Sequence, residues 1–371
     1  MAKTLDPGLT TSDVLNEFRS AGYPLTEWGK AVDGTPMLAA RAGGTKQPAI
    51  FITAGAHSTE TAGVHAAVNL LRTLETEHEV IVLPLRDPFG FAGAAHCLSV
   101  GAGRQADISS HEMALEYLKQ HGRLLRSEED VSLFELGDYG FIWGPAKPGL
   151  DAFWEMYSQI AGRWLREEPE AFRSLWGRPV MLLMDLFDVE GSGGIQRCWH
   201  GVMSEKGEWL HLNRFFGRSD APAEVAAVDK LMQTVRPGLT CDLHEGYGSG
   251  FWTTIPKPKD DPERVFDMTS AFFDYISARG YPIMEYGERA AKAREFNMPY
   301  TPDWITPEPR VPGFFWVNGG LRGEGPNLMD YAENFGIGYG TESSIELPLA
   351  MRVDVLTNGI LAAIKVWEET V

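Results

Sequence analysis

Along most of the chain, short unbroken apolar runs take turns with stretches whose apolar residues recur every three to four positions. The first pattern belongs to strands buried on both faces and the second to helices with one buried face. Residues 11–20 carry the helical period, starting near Thr11 or Ser12. Residues 36–42 and 48–54 are two predicted strands joined by Gly43-Gly44-Thr45, followed by a helix over 60–76 and a strand over 79–85. Strand, strand, helix, strand is an α/β order. The same texture returns late in the chain. Helices are predicted over 222–235, 262–280, 327–334 and 347–369, with strands over 239–244 and 337–344. Pro222 falls at a first-turn position that tolerates proline.

Residues 97–196 differ. Charge-rich helical patterns cover 109–122 and 148–168, amid many aromatics: Phe134, Tyr139, Phe141, Trp143, Phe153 and Trp154. The expectation is a single α/β domain spanning residues 1–371, with 97–196 as an inserted, mostly helical subdomain. Three roles suit such an insertion: a lid over a site, a homodimer contact, or a helical addition with no part in the chemistry. No internal repeat or low-complexity linker interrupts the chain.

Candidate chemistry sits where the apolar run 49–54 gives way to a helix, in Gly55-Ala56-His57-Ser58-Thr59-Glu60. Open α/β sheets place ligands at such strand ends. A His and a Glu three apart, joined by a second His from elsewhere, form a zinc ligand set that leaves one position open. His-x-x-Glu alone is common spacing, so the downstream partner matters. His244 ends the run 239–244 and reaches the same rim, and Asp242, two residues earlier on the same strand face, can accept the other imidazole N–H. In the segment Trp209-Leu210-His211-Leu212-Asn213-Arg214, an Asn-Arg pair offers donors to a carboxylate, Arg through two parallel hydrogen bonds.

Composition narrows the function class. The chain has 371 residues, 44% of them hydrophobic, enough for a full core. With 33 Lys+Arg against 51 Asp+Glu, its net charge of −18 disfavours nucleic acid and anionic membrane as partners. Cys97, Cys198 and Cys241 are odd in number and lack zinc-finger spacing, so reduced thiols in a cytoplasmic protein are expected. The first eight residues lack a signal-peptide apolar core, and no run of about 18 apolar residues suggests a membrane span. No Gly-x-Ser-x-Gly elbow supports a serine hydrolase, and Gly191-Ser192-Gly193-Gly194 reads as a flexible turn.

The order His-x-x-Glu, Leu-Asn-Arg-x-Phe, a strand-end His and a late Thr-Glu resembles the zinc carboxypeptidase family, including its succinylglutamate desuccinylase and aspartoacylase branch. The resemblance covers about residues 20–95 and 195–370, including Pro84 to Phe91 and Asn327 to Ile337. It implies a three-layer fold around a mixed, mostly parallel eight-stranded sheet. It also implies one Zn²⁺ per chain on His57, Glu60 and His244. Glu342 is the preferred catalytic carboxylate, with Glu346 of the same strand parity as the alternative. Asn213 and Arg214 match the pair that binds a substrate's terminal carboxylate. Arg197 is placed as the carbonyl-polarising arginine, or Arg86 if the deacylase branch is the guide. Met329 sits where side-chain preference is set and points to an apolar terminal residue; the family's substrate-capping Tyr has no clear match, Tyr331 aligning with a structural aromatic and Tyr247 being only a candidate. The implied activity is carboxypeptidase-like removal of a C-terminal residue from a small peptide. The rivals are an N-acyl amino acid deacylase and a non-catalytic binding protein on the same fold.

Overall fold

The computed structural model describes residues 6, 8–145, 153, 155–185, 189–192, 195–258, 261–295, 304–318 and 325–371. The start of the predicted helix 148–168, its Trp154, and Gly193 and Gly194 lie outside these residues. In chain order the strands are β1 Leu25–Lys30, β2 Pro36–Gly43, β3 Lys46–Ala54, β4 His78–Leu83, β5 Arg123–Glu128, β6 Val131–Leu136, β7 Tyr139–Trp143 and β8 Arg178–Leu183. They continue as β9 Trp199–Met203, β10 Trp209–His211, β11 Leu239–Gly246, β12 Trp252–Pro256, β13 Ile305–Pro307, β14 Phe314–Val317 and β15 Ile337–Ser344.

Nine of these strands form one sheet in the order β1-β2-β4-β3-β11-β15-β12-β14-β13. The resemblance led us to expect eight, mostly parallel. The sheet is instead evenly mixed: β4-β3, β3-β11, β11-β15 and β12-β14 are parallel, whereas β1-β2, β2-β4, β15-β12 and β14-β13 are antiparallel. The parallel centre coincides with the apolar runs visible in sequence. The outer strands β1 and β12 to β14 were not anticipated. In β1, Leu-Thr-Glu-Trp-Gly-Lys is an edge strand whose residues are all at least partly exposed, so no apolar run announces it.

Side-chain alternation shows the layering. Ile50, Ile52, Val80 and Val82 face a core shared with helix Thr61–Thr73 and the closing helices, while Phe51 and Ile81 face helix Ala223–Val235 on the other side. The helix patterns at 11–20, 60–76, 222–235 and 262–280 are matched by helices Thr11–Ser20, Thr61–Thr73, Ala223–Val235 and Pro262–Ala278. Thr10 caps the first of these reciprocally with Asp13.

In the region 97–196 the patterns at 109–122 and 148–168 meet helices His111–His121 and Ala161–Glu167, an unanticipated helix Ala94–Ala102 leads in, and most of a second sheet stands where a mostly helical subdomain was expected. Six strands run in the order β10-β9-β8-β7-β6-β5, drawing β9 and β10 from beyond residue 196. Its faces also alternate: Phe134, Phe141 and Met181 pack with Cys97 and Leu118, while Leu133, Ile142, Val180 and Leu182 pack with Trp164 and Leu165. The latter core runs on into Tyr247, Trp252, Phe315 and Ile345 of the first sheet's side. All three cysteines are free and buried. Among the described residues, no helix is long and apolar enough to cross a membrane.

Candidate metal centre

The central parallel strands β3 and β11 carry the site at their carboxyl ends. After Ala54 the chain turns at Gly55, whose φ of +62° is costly for residues with a Cβ. This brings His57 and Glu60 over the strand ends just before helix Thr61–Thr73. His244 lies opposite Glu342 in the β11-β15 register, so the second histidine and the preferred carboxylate share one level of the sheet.

Three side chains converge. His57 Nδ1 is 2.5 Å from Glu60 Oε1, and His244 Nδ1 is 2.8 Å from Glu60 Oε2. One ligand atom from each of His57, Glu60 and His244 lies within 4.8 Å of the others. Burial alone would raise the Glu60 pKa, but the charges and hydrogen bonds of the two histidines prevail and hold it at about 2. Burial disfavours the His244 cation, yet Asp242 and Glu60 push its pKa well above the usual imidazole value. Two imidazole nitrogens and a carboxylate, all deprotonatable and aimed at one point, make a donor set that suits Zn²⁺.

Each histidine has a different backing. His244 Nε2 lies 2.8 Å from Asp242 Oδ2, and Arg86 Nη2 donates to both Asp242 oxygens at 2.8 Å. This group is buried, and Arg86 and His244 overcome burial to keep Asp242 below the ordinary carboxylate range. Arg86 Nη1 also donates to Asn213 Oδ1 at 3.3 Å, which accepts the Leu328 backbone N–H at 3.0 Å. Behind His57 there is an imidazole instead: His57 Nε2 is 2.8 Å from His211 Nδ1. Were His57 Nδ1 to ligate a metal, its Nε2 would carry the proton and His211 Nδ1 would accept it. Trp199 stacks beyond the His57 ring at 6.2 Å between centroids.

A cavity of about 120 Å³ opens above these three side chains. Glu342, Asn213 and Arg214 form its polar wall, and Tyr247, Trp252, Trp304 and Met329 its apolar wall. Thus His57, Glu60, His244, Asn213, Arg214, Met329 and Glu342 meet in one place, with Tyr247 beside them. Glu346 lies past the end of β15 and does not line the cavity. Tyr331 stacks on Phe216 and bonds Asp229, a structural setting. A larger cavity of about 510 Å³ lies near the amino end of β15, between Pro256, Phe335 and Ile337, and none of the ligand residues lines it.

Arg197 requires a correction. Its guanidinium donates to the carbonyls of Phe91, Gln196 and Leu9 at 3.2, 2.8 and 2.8 Å, and lies over the Phe91 ring. It ties the N-terminal segment to the loop before β9 and does not line the cavity. Sequence separation nominated it, but three backbone acceptors claim its charge. Arg86 is close to the site, but it is committed to Asp242. Sequence reasoning missed His211, Trp252 and Trp304. His211 stood two positions before Asn213 and could have been found from that spacing, whereas nothing local marks the two tryptophans.

No family model and no curated protein matches the chain. Among solved structures it is similar to a metallo-carboxypeptidase from Burkholderia cenocepacia, with 12% identity and a TM-score of 0.47 over 98% of this chain and 70% of that one. It is also similar to carboxypeptidase A from Helicoverpa armigera, with 10% identity and a TM-score of 0.45 over 100% and 75%. A metallo-carboxypeptidase from Pseudomonas aeruginosa gives 10% identity and a TM-score of 0.44 over 97% and 69%. These likenesses are distant, and the functional reading rests on the geometry of the site.

Proposed function

We propose that the chain is a zinc-dependent hydrolase that cleaves an amide bond next to a free carboxylate, in the manner of a carboxypeptidase. The observation that carries this reading is the convergence of His57, Glu60 and His244 beneath a cavity that Glu342 also lines. Zn²⁺ held by these three side chains supplies Lewis acidity, which polarises a carbonyl and lowers the pKa of water. The Glu342 carboxylate takes a proton from the attacking water and returns it to the leaving nitrogen. Arg214 and the Asn213 side-chain amide anchor the substrate carboxylate and fix its register over the metal ligands. Tyr247, Trp252, Trp304 and Met329 exclude water from one side and receive an apolar group.

The size of the cavity favours a second reading. About 120 Å³ is well below the roughly 300–1,000 Å³ of many ligand pockets. It suits one side chain or a short acyl group, as in an N-acyl amino acid deacylase with the same metal chemistry.

Hydrolysis of N-blocked dipeptides alongside N-acetyl and N-succinyl amino acids, before and after chelation and zinc restoration, tests both. Zinc-dependent release of C-terminal residues, apolar ones fastest, supports the carboxypeptidase. Turnover confined to acyl amino acids supports the deacylase. Unchanged turnover after complete zinc removal would sink both. Glu342→Gln is expected to lower kcat by about 10²–10⁴-fold while leaving zinc content intact.

A further inference from the structure

Glu60 stands at the cap position of helix Thr61–Thr73, yet its carboxylate makes no capping hydrogen bond. Both of its oxygens face the histidines. A helix start leaves its first N–H groups needing acceptors, and this one is buried. The acceptor comes from another strand. Glu245, next to His244 on β11, points to the opposite face of the sheet, and its Oε2 accepts the Ala62 backbone N–H at 2.7 Å. The helix start lies close enough for this because residue 63 is glycine: a Cβ there would be 2.8 Å from the Leu243 carbonyl oxygen.

The other oxygen of Glu245 accepts from Ser343 Oγ at 3.1 Å and from Arg352 Nη1 at 2.5 Å. Ser343 follows Glu342 on β15. Arg352 is fully buried and also donates to the Leu347 and Glu190 carbonyls. One carboxylate therefore fastens the helix start that carries Glu60 and the strand that carries Glu342, and it adjoins His244.

We propose that Glu245 is a positioning residue for the metal centre. It takes over the helix-capping role that Glu60 gives up to face the metal, and so fixes Glu60 against His244. This inference rests on the zinc reading above. Glu245 borders the cavity, but both oxygens of its carboxylate are engaged by Ala62, Ser343 and Arg352, so it acts through the frame of the ligands.

Two double variants with the same charge separate this role from general stability. Both remove the buried ion pair, a replacement that apolar packing often tolerates. In Glu245→Gln with Arg352→Met, the side-chain carbonyl still accepts from Ala62. In Glu245→Leu with Arg352→Met, nothing does. Zinc affinity, measured by competition with a chromophoric chelator, is expected to be about 10–100-fold weaker in the Leu double than in the Gln double. Hydrogen exchange is expected to show the Ala62 amide protected in the Gln double and exposed in the Leu double, with or without zinc. Equal zinc affinities in two folded doubles would overturn the proposal. If either double does not fold, the wild type decides: an Ala62 amide exchanging as fast as an uncapped helix start overturns it. A wild type that takes up no zinc overturns the proposed function together with this inference. One that binds zinc no more tightly than the Leu double overturns this inference alone.

Discussion

His244 and His57 face the same Glu60 carboxylate, but they lean on different sheets. Behind His244 stands a charged pair, Asp242 of the nine-stranded sheet and Arg86 from the turn after β4, which in turn reaches Asn213 just past β10. Behind His57 stand two aromatic side chains of the six-stranded sheet, His211 at the end of β10 and Trp199 on β9. The charged backing is buried and costly to disturb from one side, because removing Asp242 leaves Arg86 an unmatched buried cation. The imidazole backing offers one neutral hydrogen bond and a flat apolar surface. A carboxylate raises the basicity of the histidine it supports more than a neutral acceptor does. The two histidines thus differ in how firmly they are held, and the second sheet borders the candidate site rather than standing apart from it. The loop between the ligands is tied to the same region, since Ser58 Oγ donates to the Cys198 carbonyl and Ser192 Oγ to the Thr59 carbonyl.

The bluntest way to break this comparison is to delete a ligand. His57→Ala and His244→Ala are each expected to abolish stoichiometric zinc retention and zinc-dependent hydrolysis, read by metal analysis of the dialysed protein. If either variant keeps both, that residue is not a ligand. Next comes Asp242→Asn. It is expected to cost about 3–5 kcal/mol of stability by denaturant unfolding and to weaken zinc binding by about 10–100-fold. Stability equal to wild type would show that Arg86 does not depend on Asp242.

A buried imidazole outside this group, His65, shows the cost of keeping a histidine neutral. His65 is fully buried, and its pKa is pushed down to about 4 by burial and by the charges of Arg352 and Arg197. Its folded pKa is below its unfolded one, so the unfolded chain binds the proton first as pH falls from about 6.5 to 4. Stability is full above that window and drops by about 3 kcal/mol across it. His65→Gln is expected to flatten this part of the acid-unfolding profile; an unchanged slope would assign the loss elsewhere. The smallest effect is expected at His211. His211→Ala should weaken zinc binding by about tenfold or less, at the low end for such supports. A loss as large as that of Asp242→Asn would erase the contrast between the two backings.

The candidate metal group was legible because two strand ends announce it, β3 for His57 and Glu60 and β11 for His244. An apolar run ends, and a His or Glu follows where parallel strands open to solvent. Asp242 was legible for the same reason, through strand parity. Arg197 misled because linear spacing says nothing about which carbonyls a guanidinium will meet. The second sheet was hidden by its own sequence: β5 reads Arg-Leu-Leu-Arg-Ser-Glu, whose charged residues fit an exposed helix face as well as an edge strand. The strands β13 and β14 span only three and four residues, too short for any period to show.

The pairing of Glu60 with His244 spans 184 positions. At synthesis rates of about 5–20 residues per second, His57 and Glu60 wait on the order of 10–40 s on the ribosome before their partner is made. In that interval the whole second sheet emerges, including the His211 that will stand behind His57. A two-donor half site holds a divalent ion weakly, so under the proposed zinc reading metal capture would belong to the end of this sequence of events. A metal held there would act as a late fastener between the first sixty residues and a strand some 180 positions further on.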